Sequence, residues 1–415
     1  MAYLFPIFVE AYKQLFVTNF YIEMYPDLSY FLHAIFGIPP DNWAAIFKTF
    51  GLFLVLAILG SAYLLYIELK RKAQDGLFKP EKVKVEENKP ATVWDLVSNA
   101  IFGFILGFKL VYIIQHFVEF QLDAASVVLS LKGSWLGGIL GASFFAGFRY
   151  WESQQHKKKE LKVYVKDVYP HHHIGDITII AAVAGVIGAK IFDVLEHLPD
   201  FFEDPLGTLL SGGGLAIYGG LIVGFFSVFF YLKRKKIPPI HVMDAVAPAL
   251  IIGYGIGRLG CQFSGDGDWG IIAATQPGWW FLPDWLWAFD YPHHVLNTLR
   301  TDPVPSIPIE GCTWEYCMKL SKPVYPTPIY ETFMAFLIGG VLWLLRKPLQ
   351  VIPGMLFFLY LILNGVERFF IEKIRVNIKY SNFGIEYTQA ELIAVGLVLA
   401  GIIGCIVLWR KRKKL

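Results

Sequence analysis

An all-α, polytopic membrane helical bundle of about nine transmembrane helices, N-terminus outside and C-terminus in the cytoplasm, is the fold this sequence predicts. Three observations predict it. First, of 415 residues 55% are hydrophobic, 16% aromatic and only 17% charged, with a mean hydropathy of +0.49. Soluble domains carry about 25% charged residues, so the composition excludes a disordered chain and argues strongly against a soluble globular one. Second, nine apolar stretches approach the roughly 20 residues that a bilayer requires: 49–67, 94–115, 135–150, 175–195, 213–232, 240–261, 327–345, 353–374 and 388–409. Third, the basic clusters Lys70–Lys72, Lys157–Lys159, Lys233–Lys236, Arg346-Lys347 and Arg410–Lys414 fall at every second loop or at the C-terminus. Basic loops stay in the cytoplasm, so nine spans with the N-terminus out and the C-terminus in is self-consistent.

In chain order, residues 1–48 form an interfacial arm outside the membrane, in which aromatics alternate with a few charges up to Ile38-Pro39-Pro40. Met1–Phe16 has no basic start before its apolar stretch, so no cleavable signal peptide is expected. The first span covers 49–72, and 73–93 reads as a solvated cytoplasmic linker through FKPEKVKVEENK. Residues 94–174 form an extra, duplicated hairpin with a basic cytoplasmic loop, and 175–415 form the core, including an outer loop over 262–326. That loop is dense in tryptophan (Trp279, Trp280, Trp285, Trp287), as suits a headgroup region. Its Cys312 and Cys317 lie on the oxidising side and are open to a disulfide or to two free thiols.

The duplication is visible residue by residue. Asp95, Gly107, Lys109, His116 and Asp123 each recur 81 positions later as Asp176, Gly188, Lys190, His197 and Asp204. Ser130 and Gly133 match Ser211 and Gly214. After a one-residue slip Gly137-Gly138 match Gly219-Gly220. Both copies run in the same direction, as in a tandem duplication rather than an inverted transporter repeat.

Ionisable residues inside spans each require a reason. Asn364, Arg368, Glu372 and Arg375 are spaced four, four and three, on one face of the eighth span. The sixth span ends in Gly253-Tyr-Gly255-Ile-Gly257-Arg258-Leu-Gly260-Cys261, followed by Gly265-Asp266-Gly267-Asp268-Trp269-Gly270. Arginine among glycines suits a phosphate. Two such arginines at one depth, Arg258 and Arg368, point to an anionic lipid headgroup. Asp244 reads as a cap at the start of the sixth span, Lys190 and Asp193 as a mutual pair, and Glu331 as a carboxylate suited to a helix start. The histidine runs 171–173 and 293–294 lack metal-ligand spacing, and no metal is expected.

These residues resemble the bacterial phosphatidylglycerol–prolipoprotein diacylglyceryl transferase family. The resemblance rests on Gly-Gly-x-x-x-Tyr218-Gly219-Gly220, on Gly257-Arg258-Leu-Gly260 with Gly265-Asp266, on Pro326-Thr327-x-x-Tyr330-Glu331 and on Arg368-x-x-x-Glu372. Asp204-Pro205-Leu206, Phe50-Gly51, Tyr25-Pro26-Asp27 and Thr388-Gln389 extend it over roughly residues 20–75 and 175–410. The copy at 94–150 is extra relative to the family's common seven-span form. The resemblance implies transfer of diacylglycerol from phosphatidylglycerol to the thiol of a lipobox cysteine in a prolipoprotein signal peptide. Glycerol phosphate would be released at the outer face of the bacterial inner membrane. It implies no cofactor and no nucleic-acid partner.

Carried onto this chain, the catalytic set is Arg258, Arg368, Asp266, Glu372 and Tyr218. The substrate-binding set is Gly219, Gly220, Gly257, Gly260, Gly270, Asn364, Tyr330 and Glu331. The chain departs from the family where Tyr218 and Tyr325 replace histidines, Cys261 an asparagine, Asp266 a glutamate, Pro328 a glutamine, and Phe50 and Asn364 tyrosines. A phenol titrates near 10 and is a poor base at neutral pH, which moves attention to Asp266. Two other readings remain: a phospholipid-binding paralogue or scaffold without catalysis, and, behind it, a lipid transporter.

Overall fold

The computed structural model describes residues 24–122, 127, 128, 130–157, 159, 161–210, 216–297, 304–377, 379–382 and 385–412. The chain begins with α1 (Leu28–Phe36) and α2 (Thr49–Gln74). After β1 (Glu81–Glu87) come α3 (Val93–Gln115), α4 (Phe117–Leu122) and α5 (Trp135–Lys157). The strand β2 (Lys162–Val168) leads into α6 (Ile174–Glu196), the short α7 (Leu198–Glu203) and α8 (Pro205–Leu210), and then α9 (Ile217–Arg234). Next are α10 (Pro239–Ser264) and a long loop with β3 (Ser306–Pro308) and β4 (Met318–Leu320). The chain closes with α11 (Thr327–Leu345), α12 (Met355–Glu372), β5 (Tyr380–Asn382), β6 (Ile385–Tyr387) and α13 (Gln389–Arg412).

Among the described residues a helix forms at each of the nine predicted spans, and seven are long and apolar enough to cross a membrane. The other two are α5 and α12. The first runs past the predicted 135–150 into the polar turns TrpGluSerGlnGlnHisLys, and the second packs Glu367, Arg368 and Glu372 into 18 residues. Among the described residues the protein is mostly helical, with three two-stranded sheets. One strand of these, β1, lies within the solvated linker read over 73–93 and stays solvent-facing. Its Lys-Val-Lys-Val alternation pairs antiparallel with β2, setting Lys82 opposite Asp167 and Glu87 opposite Lys162. Such opposite-charge pairs support a solvent-facing ladder.

The chain divides into two units, Met1–Leu69 with Pro238–Leu415, and Lys70–Ile237. The second unit carries the duplication in three dimensions. The helices α4 and α7 are 81 residues apart at both ends. They follow cap residues of nearly one conformation, His116 (φ −118°, ψ 44°) and His197 (φ −122°, ψ 47°). Each histidine's Nδ1 lies 3.1 Å from the carbonyl oxygen four residues back. The returning helices dock alike: Ser134 N–H donates to the Phe108 carbonyl (2.9 Å) and Ala216 N–H to that of Ala189 (3.1 Å). Within each hairpin the helices meet at glycines, Gly107 against Gly137 and Gly188 against Gly219, where a Cβ would run into the opposing carbonyl. The intramembrane Lys109 is satisfied by its own loop, donating to the carbonyls of Val127 (3.0 Å) and Lys132 (2.9 Å) and to Ser130. Lys190 pairs with Asp193 at 3.4 Å. The matching positions Asp123, Ser211 and Gly214 lie outside the described residues, as do Lys158, residues 1–23 of the arm and the last three residues of the C-terminal basic cluster.

These contacts set a test on one helix. A Cβ at Gly137 would sit 2.7 Å from Val111, whereas at Gly147 it would meet nothing within 4 Å. Gly137→Ala is expected to cost about 1–3 kcal/mol through overpacking and lower the melting temperature in detergent by several degrees. Gly147→Ala is expected to be neutral or slightly stabilising through helix propensity. Equal melting temperatures for the two variants would refute the packing account.

In the first unit, α10, α11 and α12 share a core of Ile251, Ala335, Leu342 and Leu356, with Tyr254, Leu359, Tyr360 and Leu363 packed on it. Asp244, read from sequence as a cap for its own helix, instead accepts the N–H groups of Gly354 (2.7 Å) and Phe357 (3.0 Å) at the start of α12. It therefore fixes α12 against α10. Above the other end of α10, Met24 of the arm packs with Trp269, Phe289, Tyr291, Val304, Leu320 and Val324 of the long loop in a second core. Cys312 and Cys317 form a disulfide there. The described part of the arm is tied in by Asp27, which caps α1 at Ser29 and meets Lys48 at 3.4 Å.

Candidate functional site

The site grows from the C-terminal end of α10. Of its glycines, Gly253 approaches Ser61, Gly255 approaches Ala335 and Phe336, and Gly260 approaches Phe53, so these three bring helices together. Gly257 faces open space. Arg258, 7% exposed, follows it. The helix ends at Gly265 (φ +63°), and Gly267 (φ +99°) turns the chain again. These two turns place Asp266 and Asp268 differently. Asp266 accepts the N–H of Asp268 (3.2 Å), while the Asp268 carboxylate turns back to Arg258 Nη1. Gly270 lies so close to the Ile374 carbonyl that a Cβ would sit 2.7 Å from it, and Ile271 N–H donates to that carbonyl (2.8 Å). Its role is to bring the loop against the end of α12.

Glu331, one turn into α11, is the hub. It is fully buried. Its Oε1 accepts from Tyr254 Oη (3.0 Å), Arg368 Nη1 (3.3 Å) and Arg375 Nη1 (3.1 Å), and its Oε2 pairs with Arg258 Nη2. Arg368 also reaches Glu372 (3.1 Å), Arg375 reaches Asp268 (2.7 Å), and Asn377 donates to Glu372 (2.5 Å). Three guanidinium groups thus face three carboxylates, Asp268, Glu331 and Glu372. Such buried networks persist only when nearly every charge is paired. The Arg258 side chain is 9% exposed, Arg375 8% and Arg368 24%, so Arg368 is the one a ligand reaches without opening the cluster.

The two aspartates at the open side are driven apart. Burial, with the Asp268 charge, raises the Asp266 carboxyl above the ordinary carboxylate range. Burial acts in the same direction on Asp268, but Arg258 and Arg375 outweigh it and hold its carboxyl low. Paired carboxyls separated in this way mark candidate proton acceptors and charge stabilisers. Cys261 Sγ, 3.5 Å from Arg258 Nη1, completes the group. The ligand atoms of Cys261, Asp266 and Asp268 lie within 4.8 Å of one another. Arg258 already supplies the positive charge against two of them, so the arrangement reads as the anionic wall of an arginine pocket rather than a metal centre.

The structure therefore brings together Arg258, Arg368, Asp266, Glu372 and Glu331 among the residues singled out from sequence. Half-buried Asn364 lies one turn before Arg368. Tyr330 donates to the Leu286 carbonyl (2.5 Å) and anchors the long loop to α11. Tyr218, Gly219 and Gly220 belong to the second unit, where both glycines pack α9 on α6. Three residues join that were not placed in the catalytic or substrate-binding sets: Arg375, Asp268 and Tyr254. Arg375 shares the four–four–three face, which was its signal. Asp268 could be told from Asp266 only through the turn, and nothing local marked Tyr254.

Residues 151–407 match the family model of prolipoprotein diacylglyceryl transferase. The matched stretch takes in the second hairpin copy and leaves out the first. The chain is 29% identical over 287 residues to the phosphatidylglycerol–prolipoprotein diacylglyceryl transferase of Staphylococcus xylosus, covering 69% of this chain and 87% of that one. It is 28% identical over 297 residues to the enzyme of the same name from Staphylococcus carnosus (71% and 90% covered). To that of Corynebacterium efficiens it is 32% identical over 232 residues (55% and 66% covered).

Proposed function

Because the chain belongs to the prolipoprotein diacylglyceryl transferase family, a family of membrane transferases of lipoprotein biosynthesis, we propose that it moves the diacylglyceryl group of phosphatidylglycerol to the thiol of a lipobox cysteine. We place this reaction at the outer face of the bacterial inner membrane, with nine spans, the N-terminus outside and the C-terminus inside. The observation that carries the reading is the arginine cluster centred on Glu331, with Asp266 beside it.

The chemistry divides among these residues. Arg368, the most exposed guanidinium, takes the phosphodiester, and Arg258 and Arg375 behind it add the field that stabilises charge on the leaving phosphate. Asp266 takes the thiol proton. The thiolate then attacks the glyceryl carbon, a C–S bond forms, the C–O bond to phosphate breaks, and glycerol phosphate leaves with the electron pair. Asp268 and Glu372 hold Arg258, Arg375 and Arg368 in place. Tyr218 is not needed as the base in this scheme.

The direct test incubates purified protein with phosphatidylglycerol and a lipobox peptide and reads a mass gain equal to diacylglycerol. No gain, with a Staphylococcus relative active in parallel, would favour the phospholipid-binding paralogue. A base must be ionised to act, so kcat/KM is expected to rise with pH through the Asp266 carboxyl. That limb lies above the ordinary carboxylate range because burial raises the group. Asp266→Asn should remove this limb and slow transfer by about 10²–10⁴-fold. An unchanged pH profile in the variant would assign the proton elsewhere.

A further inference from the structure

Glu367 has no part in the scheme above, although it lies beside the cluster. It is 4% exposed, and both carboxyl oxygens are buried without a hydrogen-bond partner among the described residues. Its position is defined by α12. Leu356, Tyr360, Leu363 and Glu367 follow at spacings of four, three and four, a stripe on one face of the helix. The first three pack against the core shared with α10 and α11. Glu367 ends that apolar stripe. It lies within electrostatic reach of Glu331, Arg368, Arg258 and Arg375, and of Tyr254 and Tyr360. It is therefore the floor of the arginine cluster, where a leucine would simply continue the core.

A buried carboxyl with two unanswered oxygens carries a desolvation penalty that packing does not offset. Such a group calls for a ligand that brings donors. A phosphodiester held by Arg368 carries an esterified alcohol, and hydroxyls on that alcohol are donors of the kind Glu367 lacks. Two acceptor oxygens match two hydroxyls. The match holds in either protonation state, since a neutral carboxyl donates to one hydroxyl and accepts from the other. We propose that Glu367 reads the glycerol diol of the donor lipid's headgroup, so that the site selects a phosphodiester whose alcohol carries vicinal hydroxyls. This rests on the reading of the chain as a transferase using phosphatidylglycerol.

The test compares initial rates for wild type, Glu367→Gln and Glu367→Leu with three donors: phosphatidylglycerol, phosphatidylpropanol (the same phosphate without hydroxyls) and phosphatidylethanolamine. Wild type is expected to prefer phosphatidylglycerol over phosphatidylpropanol at least about tenfold in kcat/KM. Glu367→Leu should bring that ratio to within about twofold by losing the phosphatidylglycerol rate alone, and Glu367→Gln should lie between. A wild-type ratio near one, or a ratio unchanged in both variants, overturns the proposal. So does a preference for phosphatidylethanolamine that Leu abolishes, which would assign an ammonium instead. If the leucine variant does not fold, the near-isosteric glutamine variant decides by the same ratio. If wild type transfers nothing, native mass spectrometry of lipid retention supplies the ratio. Retention of the diol lipid over its propanol analogue would then support Glu367 while the transferase reading falls, and equal retention would overturn Glu367 as well.

Discussion

Replacing Arg258 with alanine is expected to lower diacylglyceryl transfer by at least about a thousandfold. Loss of a single donor aimed at developing charge costs about 10²–10³ in rate, and this change does more than that. Arg258 sits between Asp268 and Glu331. Without it, two guanidinium groups face three carboxylates, with Asp266 beside them, so an anionic headgroup meets a site of the wrong sign. Arg258→Lys retains the charge but not the fork that reaches two carboxylates at once, and is expected to lose about 10–100-fold, between wild type and alanine. Rates should be compared for protein that elutes as one species in detergent, which separates chemistry from misfolding. Alanine activity within fivefold of wild type would remove Arg258 from the mechanism.

Much of this site could be read in the sequence, for a physical reason. An arginine or glutamate inside an apolar helix is conspicuous, and helical periodicity tells which charges share a face. That is how Arg258, Arg368 and Glu372 stood out. Glu331 was harder to rank because a carboxylate near a helix start already has a local explanation in the dipole. Its real partners lie 37, 44 and 77 residues away. Local plausibility misled in the same way at Asp244, which caps another helix instead of its own. The choice between Asp266 and Asp268 depends on the two positive-φ glycines of one turn, which sequence places but does not aim. The strand over residues 81–87 was not legible within its solvated linker because its partner is about 80 positions on, beyond any local pattern. The duplicated hairpin was legible for the opposite reason. Its glycine contacts, histidine caps and loop-binding lysine are each local, and each occurs twice.

Glu331→Gln tests the hub itself, and its outcome bears on how an already neutralised cluster can bind an anion. Glutamine retains the shape but removes the charge, leaving three guanidinium groups with two carboxylates in a buried setting. Breaking a buried pair in this way costs about 3–5 kcal/mol, expected as a fall in melting temperature of roughly 5 °C or more. The vacated positive charge should then accept phosphate. Anionic phosphatidylglycerol is expected to recover most of the lost stability by binding the folded state, and zwitterionic phosphatidylcholine is not. Transfer should nonetheless fall by about 10²-fold or more, because Arg258, Arg368 and Arg375 lose the common acceptor that aligns them. If the melting temperature is unchanged, or both lipids restore it equally, Glu331 does not organise the cluster. In the wild type, by contrast, the anion must compete with Glu331 for Arg368. The carboxylate then acts as a stand-in for the substrate's phosphate, holding the guanidinium groups converged before the lipid arrives.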